Sequence, residues 1–219
     1  MTVNDLILYT YARSSAAYRV RIGLALKGLA YESRCVHLLK EGGENYKPEF
    51  VALNPQALIP LLIHGDHKIY QSLSILEYLE ETFGGYALLP TAPADRAWVR
   101  AIAQMVACDI HPLNNLRVTD YIKQQYTKSS DMPLDWYHRW IAEGFAAIET
   151  LLGTRGNTSD FAMGNAPGLA ECLLVPQMYN AYRFKLDMSP YPRLEKLYQA
   201  AMKVEAFLQA SPERQADFE

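Results

Sequence analysis

The stretch GGYALLPTAPAD at residues 84–95 is where one hydrophobic period stops and another begins, and it confines the chain to a two-part fold. Gly and Pro interrupt regular structure, so residues 85–93 read as a linker between a first domain at 1–84 and a second at 94–219. Upstream, strand-like and helical runs alternate. LILY at 6–9 is short, apolar and β-prone, and Ala17, Val20, Leu24 and Ala25 then recur at helical spacing, with Gly28 as a stop. YESRCVHL at 31–38 alternates and predicts a second strand; KEGGENYKPEF at 40–50 predicts a polar loop with one short helical turn. IPLLI at 59–63, the HGDH turn and KIY at 68–70 predict a β-hairpin. A helix over 72–83 follows, with Leu73, Leu76 and Leu79 inward and Glu77, Glu80 and Glu81 outward.

This order, β-α-β, a loop, then β-β-α, describes a small mixed sheet opened by a right-handed crossover. Beyond the linker the spacing is helical, over 94–126 with a kink at Pro112, then 134–152, 168–184 and 191–207. The expected class is therefore α/β followed by all-α. At 219 residues, half of them hydrophobic, the chain is long enough to bury a core in each part.

Charge removes several functions. The formal net charge is −3, and residues 1–90 carry 8 basic and 9 acidic side chains against 13 and 15 in the remainder. Neither half offers the basic concentration that a nucleic-acid surface needs. No apolar run of 18 residues exists, so no membrane span is expected. The start, MTVNDLILYTYAR, lacks the basic and long apolar segments of a secretory signal. Cys35, Cys108 and Cys172 lie far apart with no CxxC pair, which argues against a zinc ribbon or a dithiol centre; no metal site and a reducing cytoplasm are expected.

Three junctions hold candidate chemistry. Ser14 and Ser15 precede the first helix; they fit an N-cap first, and the same physics allows a hydroxyl at a helix N-terminus that steadies a thiolate. No cysteine of the chain stands there, so such a thiol would come from a ligand. Pro60, inside ALIPLL, lacks a ladder donor, so it fits either a structural bend or a strand-opening, cis proline that leaves Ile59 backbone available to an extended ligand. Ser72 after Gln71 fits a further N-cap, but Ile75 three residues on gives no capping box, and the uncovered N–H groups could hold a carboxylate.

In this order and at these spacings the chain resembles the zeta class of the glutathione transferases. The stretches that carry the resemblance are RSSAAYRVRIGLALKGLAYE (13–32), ALNPQALIPLL (52–62), YQSLSILEYLEE (70–81), DIHPLNNLRV (109–118), LAECLLVPQ (169–177) and RFKLDMSPYPRL (183–194). The resemblance implies a thioredoxin-like domain that binds glutathione, a helical domain that completes the substrate site, and a homodimer. It implies that Ser14 and Ser15 stabilise the glutathione thiolate, that Ile59 before cis Pro60 pairs with the cysteinyl moiety, and that Gln71 and Ser72 grip the γ-glutamyl carboxylate. His111 and Asn115 are implied as further contacts to cofactor or substrate. Arg13, Arg117 and Arg183 are the candidates for a dicarboxylate substrate, because arginine holds carboxylates bidentately. Arg13 also rims the thiolate. Arg19 and Arg21 are expected instead to pair with nearby acids.

Two positions depart from the class pattern. Ala16 stands where a cysteine usually follows the two serines, and Gly168 where a Ser or Thr cap usually precedes the helix. The chemistry implied is glutathione-dependent cis–trans isomerisation of a maleyl diketo acid, maleylpyruvate or maleylacetoacetate, in aromatic or tyrosine catabolism. It needs no protein cysteine, because glutathione brings its own sulfur, and the missing cysteine with the DIHPLNN kink leans toward the maleylpyruvate type. The competing expectations are a transferase that conjugates or dehalogenates α-halo acids, and a non-catalytic glutathione-binding scaffold.

Overall fold

The computed structural model describes residues 5–126, 132–155 and 159–219. Residues 1–4, 127–131 and 156–158, which the expected domain boundaries span, lie outside the described residues. The chain divides into two compact units, Met1–Leu88 with Met202–Glu219, and Leu89–Ala201.

The first unit is a four-stranded mixed sheet in the order β2-β1-β3-β4. β1 (Leu6–Thr10) leads through α1 (Ser15–Leu26) to β2 (Glu32–Cys35), which lies parallel to it. β3 (Leu61–His64) pairs antiparallel with β1, and β4 (His67–Tyr70) with β3; α3 (Ser72–Thr82) follows, and the short α2 (Pro48–Val51) lies between β2 and β3. Alternate strand residues divide between two clusters. Leu6, Leu8 and Leu62 pack with Val20 and Leu24 of α1 and with Ile75 and Leu79 of α3. Tyr9, Leu61 and Ile63 pack instead with Tyr11, Val36 and Phe50. Each such leucine taken from water contributes about 1.5–3 kcal/mol. α1 lies close on α3 because Gly23 has no side chain: a Cβ there would meet Leu76 Cδ2 at 2.3 Å.

Three expectations for this unit change. The second strand covers Glu32–Cys35 rather than 31–38. Val36 N–H still donates to Thr10, but Glu44 takes the His37 N–H at 2.7 Å, and His37 Nδ1 accepts from Leu39 and Lys40, so the chain turns away. On α3 the buried apolar residues are Ile75, Leu76 and Leu79, with Leu73 half-buried. The last helical run breaks after Ala201, and α9 (Glu205–Ala210) belongs to the first unit rather than to a helical domain reaching 219. There Tyr18 Oη donates to Phe207 carbonyl at 3.2 Å and Arg21 Nε to Ala210 carbonyl at 2.9 Å.

The second unit holds α4 (Pro93–Gln104), α5 (Leu116–Tyr126), α6 (Met132–Thr154), α7 (Leu169–Arg183) and α8 (Pro192–Ala201). α7 is its central helix, with Leu169, Cys172, Leu173, Leu174, Val175, Met178 and Ala181 all buried. The single kinked helix expected over 94–126 is instead two. α4 passes into a π-helical turn, Met105–Ile110, in which His111 N–H reaches back five residues to Val106 at 2.9 Å. Pro112 has no N–H to continue the ladder, and residues 111–115 are non-helical. Among the described residues no helix is long and apolar enough to cross a membrane.

Gly168, the departure noted in sequence, is compensated from within the helix. Glu171 is buried, and its carboxylate accepts from Gly168 N–H and Ala162 N–H, each at 2.7 Å. Replacing it by alanine should remove this acceptor from both N–H groups, at a cost of about 2–4 kcal/mol. Burial raises this carboxyl above its ordinary 4.5, with the backbone hydrogen bonds opposing. The folded protein therefore holds the proton to higher pH than the unfolded chain does. The Glu171 contribution to stability is greatest below pH 4.5 and declines as pH rises through 4.5 toward the folded value. Urea unfolding across that range should show this slope, and Glu171→Gln should flatten it.

Candidate functional site

Strand pairing gathers three loops at one end of the sheet. Leu61 lies opposite Tyr9 on one side and Tyr70 on the other. The end of β1, the start of β3 and the end of β4 therefore coincide, and the adjoining segments carry Arg13–Ser15, Ile59–Pro60 and Gln71–Ser72.

At the first of these, Ser14 is the N-cap of α1, with φ −75° and ψ 111°, and its Oγ accepts from Ala17 N–H at 3.2 Å. The cap uses the oxygen as acceptor, so the hydroxyl proton is left to donate outward. No acidic side chain occupies the first turn of α1, so its positive end is not neutralised. Ser15 and Ala16 are buried at the start of the helix. The preceding loop is held by Ala12 N–H donating to Asp217 at 2.8 Å and by Arg21, which donates to the carbonyls of Tyr11 and Ala12. Arg13 lies over the Phe218 ring at 5.3 Å and donates to a main-chain oxygen of Glu219.

At the second, the Ile59–Pro60 bond is cis and Pro60 directly precedes β3. The approach is fixed by two asparagines that the sequence did not single out. Asn54 Nδ2 donates to Leu58 carbonyl at 2.6 Å, and Asn45 Nδ2 to Ala57 carbonyl at 2.9 Å. Ala57 itself has φ 54°.

At the third, Gln71 takes the cap position, with φ 66°, and makes no side-chain cap bond; its Nε2 donates to Gln56 at 2.8 Å. Ser72 is thus the first helical residue rather than the N-cap. Its hydroxyl oxygen accepts from Arg19 Nη1 at 3.1 Å, which links the start of α3 to α1. No acidic side chain stands in the first turn of α3 either.

Of Arg19 and Arg21, both expected to pair with nearby acids, Arg21 directs its hydrogen bonds elsewhere. Both are 1% exposed; Arg19 reaches a hydroxyl, while Arg21 reaches Thr10 Oγ1 and three carbonyls. Their position on an otherwise apolar helix was the signal available in sequence.

In the second unit His111 ends the π-helical turn, and Asn115 caps α5, its Oδ1 accepting from Arg117 N–H at 3.2 Å. Arg117 is exposed in the first turn of that helix. Trp136 Nε1 donates to Leu113 carbonyl at 2.9 Å and Asn114 to Tyr137 carbonyl at 3.2 Å, so α6 fixes this turn. Arg183 ends α7, over the Phe184 ring at 5.2 Å. It lines an open cleft of about 550 Å³ with Tyr179, Tyr182, Glu195, Tyr198 and Gln199. His138 Nε2 lies 2.6 Å from the Phe184 carbonyl and anchors the turn that follows Arg183.

Comparison with known proteins agrees with this geometry. The family profile described as glutathione S-transferase, N-terminal domain, matches residues 4–81. A protein of Vibrio cholerae named probable maleylacetoacetate isomerase is 48% identical, over 97% of this chain and 98% of its own. The holo structure of a bacterial maleylpyruvate isomerase, a zeta-class glutathione S-transferase, superposes with a TM-score of 0.94 at 41% identity, covering 97% of this chain and all of that one. A maleylacetoacetate isomerase from Methylobacterium extorquens AM1, solved with bound malonate and GSH, gives 0.92 at 37% identity, covering 97% and 99%. A mixed four-stranded sheet with a cis proline opening β3, a hydroxyl-capped α1 and near-full-length identity of this order together place the chain in the glutathione S-transferase family, within its zeta class.

Proposed function

We propose that the chain is a glutathione-dependent cis–trans isomerase of a maleyl diketo acid, converting maleylpyruvate or maleylacetoacetate to the fumaryl form in aromatic catabolism. The observation that carries this reading is Ser14, a cap that keeps a donor proton at the positive end of α1, where Ala16 leaves no protein sulfur. A site of this kind fits a ligand thiol. Two helix starts without acidic side chains and a cis-proline edge fit the rest of a γ-glutamyl tripeptide. The named relatives, one with malonate and GSH bound, support both the cofactor and a small dicarboxylate.

Glutathione, when bound, supplies the sulfur that adds to the cis double bond and departs after rotation about the single bond so formed. Ser14 donates its hydroxyl proton toward that sulfur and, with the α1 N-terminus, lowers the thiol pKa. Ser15 stands beside it as the second hydroxyl. The Ile59 backbone pairs with the cysteinyl segment as an added strand would. Gln71, Ser72 and the α3 N–H groups hold the γ-glutamyl carboxylate. Arg13, Arg117 and Arg183 are proposed as carboxylate ligands, and His111 and Asn115 as further polar contacts. Charge that develops on the substrate oxygen is stabilised by these guanidiniums. A homodimer and a cytoplasmic setting belong to the same proposal, supported by the family resemblance and by three free cysteines.

The test is to supply each maleyl diketo acid with and without glutathione and to follow fumaryl product. Turnover that requires glutathione without consuming it is expected. Stoichiometric loss of glutathione would instead indicate a conjugating transferase, and absence of glutathione-dependent turnover on both substrates would overturn the proposal.

A further inference from the structure

The start of α3 holds more than a hydroxyl and a row of N–H groups. Behind it stands Arg19, one turn into α1 from Ser15, 1% exposed and donating from Nη1 to Ser72 Oγ at 3.1 Å. Ser72 is itself only 6% exposed, so the hydroxyl and the guanidinium meet out of water. We propose that Arg19 is a positioning residue of the glutathione subsite: it aims the Ser72 hydroxyl at the γ-glutamyl carboxylate and fixes a positive charge behind it. This inference rests on the glutathione reading above.

The geometry gives it four supports. A hydroxyl oxygen that accepts from Arg19 is restrained in rotation, and its own proton is directed away from that donor. Gln71, with φ 66°, makes no side-chain cap bond and the first turn carries no acid, so the N–H groups of α3 face the same region. Charge held in a water-poor interior acts on a nearby anion through a low effective dielectric, where a solvated guanidinium would be screened. The close approach of α1 and α3 at Gly23 keeps the two helix starts in register.

The experiment uses the full chain and two ligands, glutathione and γ-aminobutyryl-cysteinylglycine, which lacks only the α-carboxylate. Calorimetry on Arg19→Met should show glutathione binding weakened about ten- to hundredfold, with the analogue changed less than about threefold. Arg19→Lys, which keeps the charge, should recover part of the loss. In turnover the change should appear in KM for glutathione, with kcat at saturation altered far less. Equal weakening of both ligands would mean that Arg19 only supports the fold, and unchanged binding of both would also overturn the proposal.

If Arg19→Met does not fold, Arg19→Lys and Ser72→Ala decide the question as a double-mutant cycle. Coupled losses confined to glutathione support the proposal, and additive losses overturn it. A wild-type chain that binds neither ligand removes the glutathione reading itself. Wild-type binding with unaltered discrimination in the Arg19 variants removes only the role of Arg19.

Discussion

Ser14→Ala should lower kcat about a hundredfold while leaving KM for the maleyl substrate within a few-fold, the size of effect seen when one donor to a developing anion is removed. The same change removes a helix cap, which costs about 1 kcal/mol of stability. Two further variants separate the effects. Ser14→Gly retains a tolerable cap, losing only a few tenths of a kcal/mol, but has no hydroxyl. Ser14→Thr keeps both. Activity should therefore rank Ser and Thr far above Gly and Ala, while stability should rank Gly closer to Ser. The thiol pKa of bound glutathione, read by ultraviolet absorbance of the thiolate, should rise in both variants that lack the hydroxyl. An unchanged pKa and kcat in Ser14→Ala would remove the thiolate role and leave Ser14 as a cap.

Arg21→Met should be the most destabilising single change in the first unit, by about 3–5 kcal/mol. Arg21 is buried, and it donates to Thr10 Oγ1, to the carbonyls of Tyr11 and Ala12, and to Ala210 carbonyl, all between 2.9 and 3.2 Å. Burial pushes its pKa down to about 10, yet it remains charged at neutral pH. Methionine fills much of the space but leaves three carbonyls without this donor, and each unsatisfied buried acceptor costs about 1–3 kcal/mol. Arg21→Lys should recover only part, because one ammonium cannot reproduce a fork of three nitrogens. Urea unfolding followed by far-ultraviolet circular dichroism measures both. A loss below about 1 kcal/mol would show that these bonds add little beyond what water gives the unfolded chain.

The two parts of the chain were legible for physical reasons. The apolar run at 59–63 and the helical spacing at 72–83 reflect faces that are truly buried, so β3 and α3 appear where the pattern puts them. Pro60 was legible because a proline at the start of an apolar strand has few places to go, and it directly precedes β3. The Ser14 cap followed from ordinary cap chemistry, but Ser72 did not: its hydroxyl is turned to Arg19 from another helix, a long-range contact that no local spacing encodes. The same limit hid the partners of Arg21, one of which lies 189 residues away. The break in 94–126 was placed at Pro112 because proline is visible, whereas the π-helical turn that precedes it has no single-residue signature. For Gly168, a missing hydroxyl was visible in sequence, but the longer reach of Glu171 that replaces it became visible only with both of its donors in place.

The return of α9 to α1 sets an order of events during synthesis. Arg21 emerges from the ribosome early, but its acceptor at Ala210 follows 189 residues later. At ~5–20 residues per second that interval is about 10–40 s. Throughout it the surface of α1 that α9 will cover stays open, with a guanidinium on an otherwise apolar helix. The sheet can pair while the chain is still growing, but the first unit is closed only once residues 205–210 have been made. A ribosome stalled within α8 would display that unsealed face, and such nascent chains should be far more sensitive to protease than the released protein.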